Sequence, residues 1–401
     1  MVPNVPRRAA LRLYYFVFFA AIGAYVPYFP AWLKARGIDG LRMSTVTMLV
    51  PLFGVVSPVA FGVVADVCGL RGSLLRVAAA GAVLSFGGIA MFGTGGGAAS
   101  YAGLLLFMTL FAFTRGPMVS LADVTALEQP GSYGRTRLFG SAGFTAMVVL
   151  AGAFVDLRSA RQLPLLITTA LGLTLVVSAR LPARAMHPPL PVAADAARLA
   201  RSPDFLLFLL SGFLWSGAHV SYDLCFSMHL ADIGASTPEV GLCWAVGVVA
   251  EILLMSAAHL LFVRFRIAKL LMCGLASSAL RFVVIARTHS VPALLLLSPL
   301  HALTFGLYWV ASLEYVRRRV PSHVLATAQS LLAAAVALGS VIGMLSWGPL
   351  YTASGGSSVF TAAAAVAAVG CLAAMALGAV SDGGEPIGSP GPRRAAPPTA
   401  P

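Results

Sequence analysis

A series of long apolar runs constrains this chain more than any other feature of its sequence. Each run has about 20 residues, which is the length that a helix needs to cross the hydrocarbon core of a bilayer. Backbone polar groups in lipid require internal partners, so runs of this kind predict helices. The predicted spans cover residues 11–33, 44–65, 73–93, 99–121, 138–157, 163–181, 204–229, 238–260, 267–287, 291–312, 324–348 and 358–380.

The composition supports lipid as the environment of this chain. Hydrophobic residues make up 59% of the 401 residues and charged residues only 10%, whereas a soluble domain carries about 25% charged residues. The net charge of +13 does not indicate a nucleic-acid partner, because the basic residues fall between apolar runs rather than on a polar face. The five cysteines form no CxxC pair, so we expect neither disulfides nor a metal site.

The distribution of basic residues predicts the orientation of the chain. With the N-terminus placed inside, 19 of the 27 Lys and Arg residues fall in inner segments and 6 in outer segments. Cytoplasmic segments carry such an excess. We therefore expect a multi-pass protein of the cell inner (cytoplasmic) membrane with both termini cytoplasmic. The first apolar run lacks a small-residue cleavage site, so it is interpreted as a span rather than a signal peptide.

This topology predicts the sides on which two reporter fusions will be active. A fusion at Gly95 should report the outer side, and a fusion at Ala194 should report the inner side. The physical reason is the bias of Lys and Arg towards the cytoplasm. Activity of both fusions on the same side of the membrane would contradict the topology.

One long polar break divides the chain into two parts. Residues 182–203 are rich in Pro and in basic residues, and they separate six predicted spans from six others. We expect an N-terminal six-helix half at 1–181, a cytoplasmic central loop at 182–203 and a C-terminal six-helix half at 204–380. Residues 381–401 are rich in Gly, Pro, Ser and Ala and are expected to be a disordered cytoplasmic tail.

The sequence GVVADVCGLRG interrupts the apolar runs between spans 2 and 3. Gly62 permits close approach of another helix, and Asp66 lies one turn further on the same face. Gly69 suits a tight turn, and Arg71 follows that turn just before the next span. An inner-loop turn with charges at the lipid headgroups explains these residues as well as a functional role does.

The pattern GxxxDxxGxR at this place resembles the signature loop of the major facilitator superfamily. The resemblance implies that Asp66 contacts the other half and helps to hold the inner side closed. It also implies the fold: an all-α membrane protein with twelve transmembrane helices in two six-helix halves.

Further motifs resemble the lactose permease group of that superfamily. They are GAYVPYFPAWL (23–33), YGRTRLFGSAGF (133–144), SYDLCF (221–226) and SPLHALTF (298–305). Two more, GAHVSYD (217–223) and VGVVAE (246–251), make the second half most similar to the phenylpropionate permease branch. The gating residues implied by the resemblance are Gly62, Asp66, Gly69, Arg71, Arg135 and Arg137.

The chain departs from the lactose permease pattern at three places. Val119 or Ser120 stands where a sugar-binding Glu is expected, Thr304 replaces an acidic residue, and residues 331–347 contain no Lys. A galactoside substrate is therefore not expected.

The gating role of Asp66 predicts a separation between transport and binding. Asp66→Asn should reduce transport but leave substrate binding nearly intact, because the carboxylate would act between the halves and not on the ligand. Parallel uptake and binding measurements would check this. Loss of binding with normal conformational cycling would argue against a gate.

Ionisable residues within predicted spans are functional candidates, because a charge at the bilayer centre costs about 2.5–3.5 kcal/mol on insertion scales. Glu251, His301 and Arg281 are assigned to proton coupling. Burial disfavours an ionised carboxylate and a nearby cation favours it, so a conformational change can bind and release a proton at Glu251. The alternatives are a protonated Glu251 bonded to backbone, a packed neutral His301 and an Arg281 that extends to the interface.

Substrate binding is assigned to an overlapping set of residues. Cations within spans can bind a carboxylate in bidentate fashion, and aromatic residues on the same helix faces can enclose a ring. Asp223 and His219 share a face, although they can also simply bond each other. The candidates are Arg281 as first choice, Arg115, Asp223, His219, Trp244 and Tyr308.

These features together predict a secondary active transporter. We expect proton-coupled symport of a small organic solute by alternating access, with an aromatic carboxylate as one candidate. A sugar or nucleoside proton symporter, or a drug or metabolite exporter of the same fold, is the alternative. The sequence contains no HExxH, GxSxG or Walker A motif, which disfavours a membrane-embedded enzyme; short loops disfavour a sensor. We expect a monomer without cofactor.

Overall fold

The structure is a computed structural model, and it describes residues 5–68, 70–92, 98–127, 133–181, 199, 201–320 and 324–381. The central segment 182–198 and the tail 382–401 lie outside the described residues. The roles predicted for those two segments therefore stay predictions.

The described residues form twelve long helices, as the apolar runs predict. The first half contains α1 (Val5–Lys34), α2 (Gly40–Cys68), α3 (Arg71–Phe92), α4 (Ala98–Leu127), α5 (Tyr133–Phe154) and α6 (Gln162–Ser178). The second half contains α7 (Pro203–Asp232), α8 (Thr237–Arg264), α9 (Ile267–Arg287), α10 (291–319), α11 (325–354) and α12 (356–381).

The structure differs from the helices predicted from the sequence at two places. A connection over 349–357 is expected between α11 and α12, but the helix continues through Pro349 and breaks only at Gly355, whose φ is +74°. Only glycine adopts this φ without strain. The second difference lies in α10, which is not one regular helix: a 3₁₀ turn at Ser298–Leu300 and a π-helical turn at Ala302–Leu307 interrupt it.

Each half packs as a unit. In the first half α1 contacts α5 and α6, and α4 contacts α2 and α3. In the second half α8 packs on α10, while α7 and α9 pack against the helices that follow α10. The halves meet where α2 lies along α11, where α5 lies along α8 and where α1 approaches α7.

The halves are joined tightly at one end of the bundle, which we call the Lys34 end. The Lys34 ammonium lies 2.6 Å from the Asp232 carboxylate of the other half, and the Tyr351 hydroxyl donates to the same carboxylate at 2.5 Å. The sequence predicts that this end faces the outside.

Glycines allow the close approach of the halves at the Lys34 end. A Cβ built on Gly241 of α8 would lie 2.6 Å from the Tyr28 hydroxyl and 2.9 Å from the Val148 carbonyl oxygen, and both of these belong to the other half. A Cβ on Gly348 of α11 would lie 2.7 Å from the carbonyl oxygen of Gly40. Any side chain at these two glycines would therefore push the halves apart.

Candidate functional site

Glu251 lies in the middle of α8, where α8 packs closely on α10. A Cβ built on Gly306 would lie 3.0 Å from the Cγ of Glu251, and one built on Gly247 would lie 3.2 Å from the Cβ of His301. Gly247 and Glu251 are four residues apart and so share a helix face. Small residues thus bring the carboxyl group of α8 against the backbone of α10.

The π-helical turn of α10 stands directly beside this contact. Such turns are rare and occur frequently at functional sites. The indole nitrogen of Trp215 donates to the carbonyl oxygen of Thr304 at 2.7 Å, so α7 satisfies a carbonyl group within the irregular turn. The turn is therefore supported by tertiary contacts.

Arg281, His301 and Glu251 form a chain of three ionisable groups inside the second half. Arg281 is fully buried, and its Nη1 lies 3.3 Å from His301 Nδ1 and 3.2 Å from the Thr304 hydroxyl. His301 Nε2 lies 3.4 Å from Glu251 Oε2. The Arg281 guanidinium also lies over the ring of Tyr222, 4.2 Å from its centroid.

The chemistry of arginine determines the proton position in this chain. A guanidinium only donates hydrogen bonds, so His301 Nδ1 must be the acceptor. A neutral His301 then carries its proton on Nε2, which faces Glu251. His301 thereby connects a permanent cation to a titratable carboxyl group.

Aromatic rings surround the chain on the side of α7. Trp215 stacks on His219 and on Tyr308, with centroid distances of 5.5 Å and 4.6 Å. His219 lies 5.5 Å from the ring of His301 and 5.1 Å from that of Phe305. His301 therefore lies at the edge of a cluster of aromatic rings from α7 and α10.

A cavity of about 240 Å³ between the halves reaches Glu251. We call it the Glu251 cavity. Its lining residues come from α1, α5, α7, α8 and α10: Phe19, Ile22, Val26, Arg137, Ser141, Phe144, His219, Asp223, Trp244, Val248, Glu251, His301 and Phe305. The carboxyl group of Glu251 thus faces the other half of the protein, and 13% of its side chain is exposed.

A second cavity of about 380 Å³ lies between α1, α2 and α4 of one half and α7, α10 and α11 of the other. We call it the Arg115 cavity. Its walls are mainly apolar, Arg115 and Asp223 are its charged residues, and Tyr25 also lines it. Asp223 and Val26 line both cavities.

The structure brings most of the predicted site residues together. Glu251, His301, Asp223, His219 and Trp244 line the Glu251 cavity. Arg281 does not line either of the two cavities, because it is enclosed by His301, Thr304 and Tyr222. Tyr308 is also buried away from both cavities, and its hydroxyl lies 2.8 Å from that of Ser211.

Several residues of the site are absent from the sequence-based candidates. Phe305, Phe144 and Trp309 line the cavities, and Thr304 and Tyr222 contact Arg281. For Phe305 and Thr304, which follow His301 by four and three residues, a shared helix face is the signal that was available in the sequence. That signal does not separate them from ordinary packing residues.

The predicted gating residues lie mainly outside what the structure describes. Gly69 is not among the described residues, and the side chains of Asp66, Arg71 and Arg135 are not described. Gly62 lies within α2, where a Cβ would meet nothing within 4 Å. Arg137 lies in the Glu251 cavity, with its guanidinium 3.9 Å from the ring centroid of Phe19.

Comparison with known proteins shows the family to which this chain belongs. The sequence profile of the MFS_1 like family matches residues 9–362. A maltose permease of Geobacillus stearothermophilus is 28% identical over 340 residues, covering 82% of this chain and 83% of that protein. A probable 3-phenylpropionic acid transporter of Escherichia coli K12 is 28% identical over 348 residues, covering 84% and 88%.

The fold is also that of a solved transporter. The crystal structure of a point mutant of the nucleoside transporter NupG superposes with a TM-score of 0.81 at 15% identity, covering 92% of this chain and 99% of that one. The predicted all-α fold with twelve membrane helices in two halves is confirmed. The chain belongs to the MFS_1 like family of the major facilitator superfamily, and it is a membrane transporter of the permease type rather than an enzyme.

Proposed function

We propose that this protein is a proton-coupled symporter that moves a small organic acid by alternating access. The observation that carries the proposal is the buried chain of Arg281, His301 and Glu251 beside a cavity between the halves. Ionisable groups inside a membrane are costly, and in transporters they mark proton and substrate pathways.

Protonation of Glu251 can change the hydrogen bonding along the whole chain. When Glu251 is ionised, the Nε2 proton of His301 faces the carboxylate and Nδ1 accepts from Arg281. A protonated Glu251 can still accept from Nε2 through its carbonyl oxygen, or it can donate to Nε2 through its hydroxyl. In the second arrangement the ring proton would have to move to Nδ1, facing the donors of Arg281, so the proton on Glu251 would compete with the bond between Arg281 and His301.

Movement of the halves offers a way to load and release this proton. The walls of the Glu251 cavity include Arg137 and Phe144 of the first half, so a rocking motion changes the surroundings of the carboxyl group. In this fold class, alternating access is largely a rigid-body motion of one half against the other around a fixed site. Glu251 is thus at a place where its charge state can respond to that motion.

The nature of the solute is inferred from the cavities. The two named relatives are a maltose permease and a probable 3-phenylpropionic acid transporter, whose substrates differ in charge. Arg115 and the apolar walls of its cavity favour an acid with an apolar body over a sugar. We further propose that both termini are cytoplasmic, that the membrane is the inner membrane and that the carrier works as a monomer.

Reconstitution into proteoliposomes tests this function. We expect counterflow of radiolabelled 3-phenylpropionate without a gradient and its accumulation when a proton gradient is imposed. Vesicles without protein and a panel of neutral sugars and nucleosides serve as controls. Transport of a sugar or nucleoside with no response to any carboxylate would refute the acid, and exchange of none of these solutes would count against the proposed function.

A further inference from the structure

The Arg115 cavity contains opposite charges that come from opposite halves of the protein. Arg115 extends from α4 of the first half, and Asp223 extends from α7 of the second half. The wall between them includes the apolar side chains of Val50, Val220 and Met344. A ligand that touches both charged groups would therefore connect the two halves.

Arg115 has unused capacity to donate hydrogen bonds. Its Nε is buried and has no hydrogen-bond partner among the described residues, and no ion pair of Arg115 is found in that part of the chain. Buried polar groups are almost always hydrogen-bonded. The planar guanidinium binds a carboxylate in bidentate fashion, so a ligand carboxylate would supply the missing acceptors.

Asp223 requires the opposite chemistry. An ionised carboxylate only accepts hydrogen bonds. Among the described residues, the ionisable group within ion-pair distance of Asp223 is His219, whose Nε2 lies 3.9 Å from Oδ1. With 31% of its side chain exposed, Asp223 is accessible to a hydroxyl or ammonium group of a ligand.

The other buried arginine is not available for this role. Arg281 also has buried nitrogens, Nε and Nη2, without a hydrogen-bond partner among the described residues, but it lines neither cavity. It is fully buried, binds His301 and Thr304 and lies over Tyr222. A ligand would have to displace these contacts to reach it. The cation that faces the larger cavity is Arg115.

We propose that Arg115 and Asp223 hold the two ends of one substrate, which is a compact apolar carboxylate with a hydrogen-bond donor at its far end. This inference rests on the proposed transport of an organic acid and names the class of acid. The volume of about 380 Å³ lies near the lower end of the range for ligand pockets, about 300–1,000 Å³. It therefore suits a single-ring molecule.

Four probes separate the contributions of the two ends. They are 3-phenylpropionate, its neutral amide, 3-(4-hydroxyphenyl)propionate and 3-[4-(aminomethyl)phenyl]propionate. Their binding to the purified full-length protein would be measured by calorimetry, and their exchange would be measured in proteoliposomes. The wild type should prefer the acid to the amide and should prefer either probe with a distal donor to 3-phenylpropionate.

Variants at the two positions should lose different preferences. Arg115→Gln should reduce the preference for acid over amide by about tenfold or more, the usual weight of a hydrogen bond to a charged group. Arg115→Lys should lose less of this preference, because lysine keeps the charge but not the bidentate geometry. Asp223→Asn should lose the preference for the ammonium probe and keep the preference for acid over amide. Arg287→Gln, at the exposed end of α9, is the matched control and should behave as the wild type.

The outcomes distinguish this proposal from the proposed function. The two-ended site would be overturned by unchanged selectivity in Arg115→Gln or Asp223→Asn, or by the absence of either preference in the wild type. Neither result would refute the proposed transport function. Failure of every carboxylate probe to bind would overturn it as well. Binding that depends on Arg115 and Asp223 in a protein that exchanges no solute would support the site and refute the transport function.

Discussion

Replacement of Glu251 with glutamine is expected to abolish the accumulation of substrate against a gradient while exchange of substrate continues. Glutamine has nearly the same volume as glutamate but no titratable proton. Its amide oxygen can accept a hydrogen bond from the Nε2–H group of His301. The hydrogen bonds that connect Arg281, His301 and position 251 would then stay in one arrangement. The carrier could then reorient with substrate but could not draw energy from a proton gradient.

Two assays in the same proteoliposomes would check this expectation. Uptake driven by a pH gradient should fall to the level of vesicles without protein, and counterflow should persist. Glu239→Gln is the matched control, because Glu239 caps the exposed N-terminus of the same helix and glutamine also serves at that capping position. Accumulation by Glu251→Gln at the rate of the wild type would show that the proton binds elsewhere.

Replacement of Gly241 with leucine is expected to block transport by preventing closure of the Lys34 end. The new Cβ would overlap the Tyr28 hydroxyl and the Val148 carbonyl oxygen, and the backbone oxygen cannot rotate away. Overpacking of this kind costs about 1–3 kcal/mol, which corresponds to a decrease of about fivefold to 150-fold in the equilibrium constant for closure. Each half can still fold, because the overlap lies between the halves.

A native cysteine can report this opening. Cys225 of α7 is free and fully buried, so a variant that keeps it and replaces the other four cysteines with serine should react slowly with a polar maleimide. Gly241→Leu in that background should accelerate the reaction and reduce counterflow, with substrate binding retained. Gly172→Leu is the control, since a Cβ at Gly172 meets nothing within 4 Å. Slow labelling of Cys225 together with normal counterflow in Gly241→Leu would contradict the closure.

The fold of this protein is readable from its sequence because the bilayer imposes a strong constraint. A run of about 20 apolar residues has few alternatives to a membrane helix, and the polar break at 182–203 predicts where the two halves are divided. Local backbone events carry a weaker signal. Gly355 breaks a helix and Pro349 does not, although both residue types commonly interrupt helices.

The site can be predicted only in part from the sequence. Helical periodicity shows which residues share a helix face, but it does not show which residues of other helices pack against that face. The sequence indicates that Glu251, His301 and Arg281 are unusual, and the structure places them in one chain. The sequence does not indicate that Thr304 and Tyr222 enclose Arg281. Because Arg281 is enclosed, Arg115 is the cation that faces the larger cavity. Such a distinction depends on contacts between helices that are distant in sequence.

The π-helical turn in α10 also has a consequence for the phase of that helix. A π turn contains about one residue more than an α turn, and one residue corresponds to about 100° of rotation around a helix axis. His301 and Phe305 therefore face the Glu251 cavity, while Tyr308 is directed towards Ser211 of α7. A deletion of one residue within Ala302–Leu307 would rotate the remainder of α10, so the length of this turn is as important as its composition.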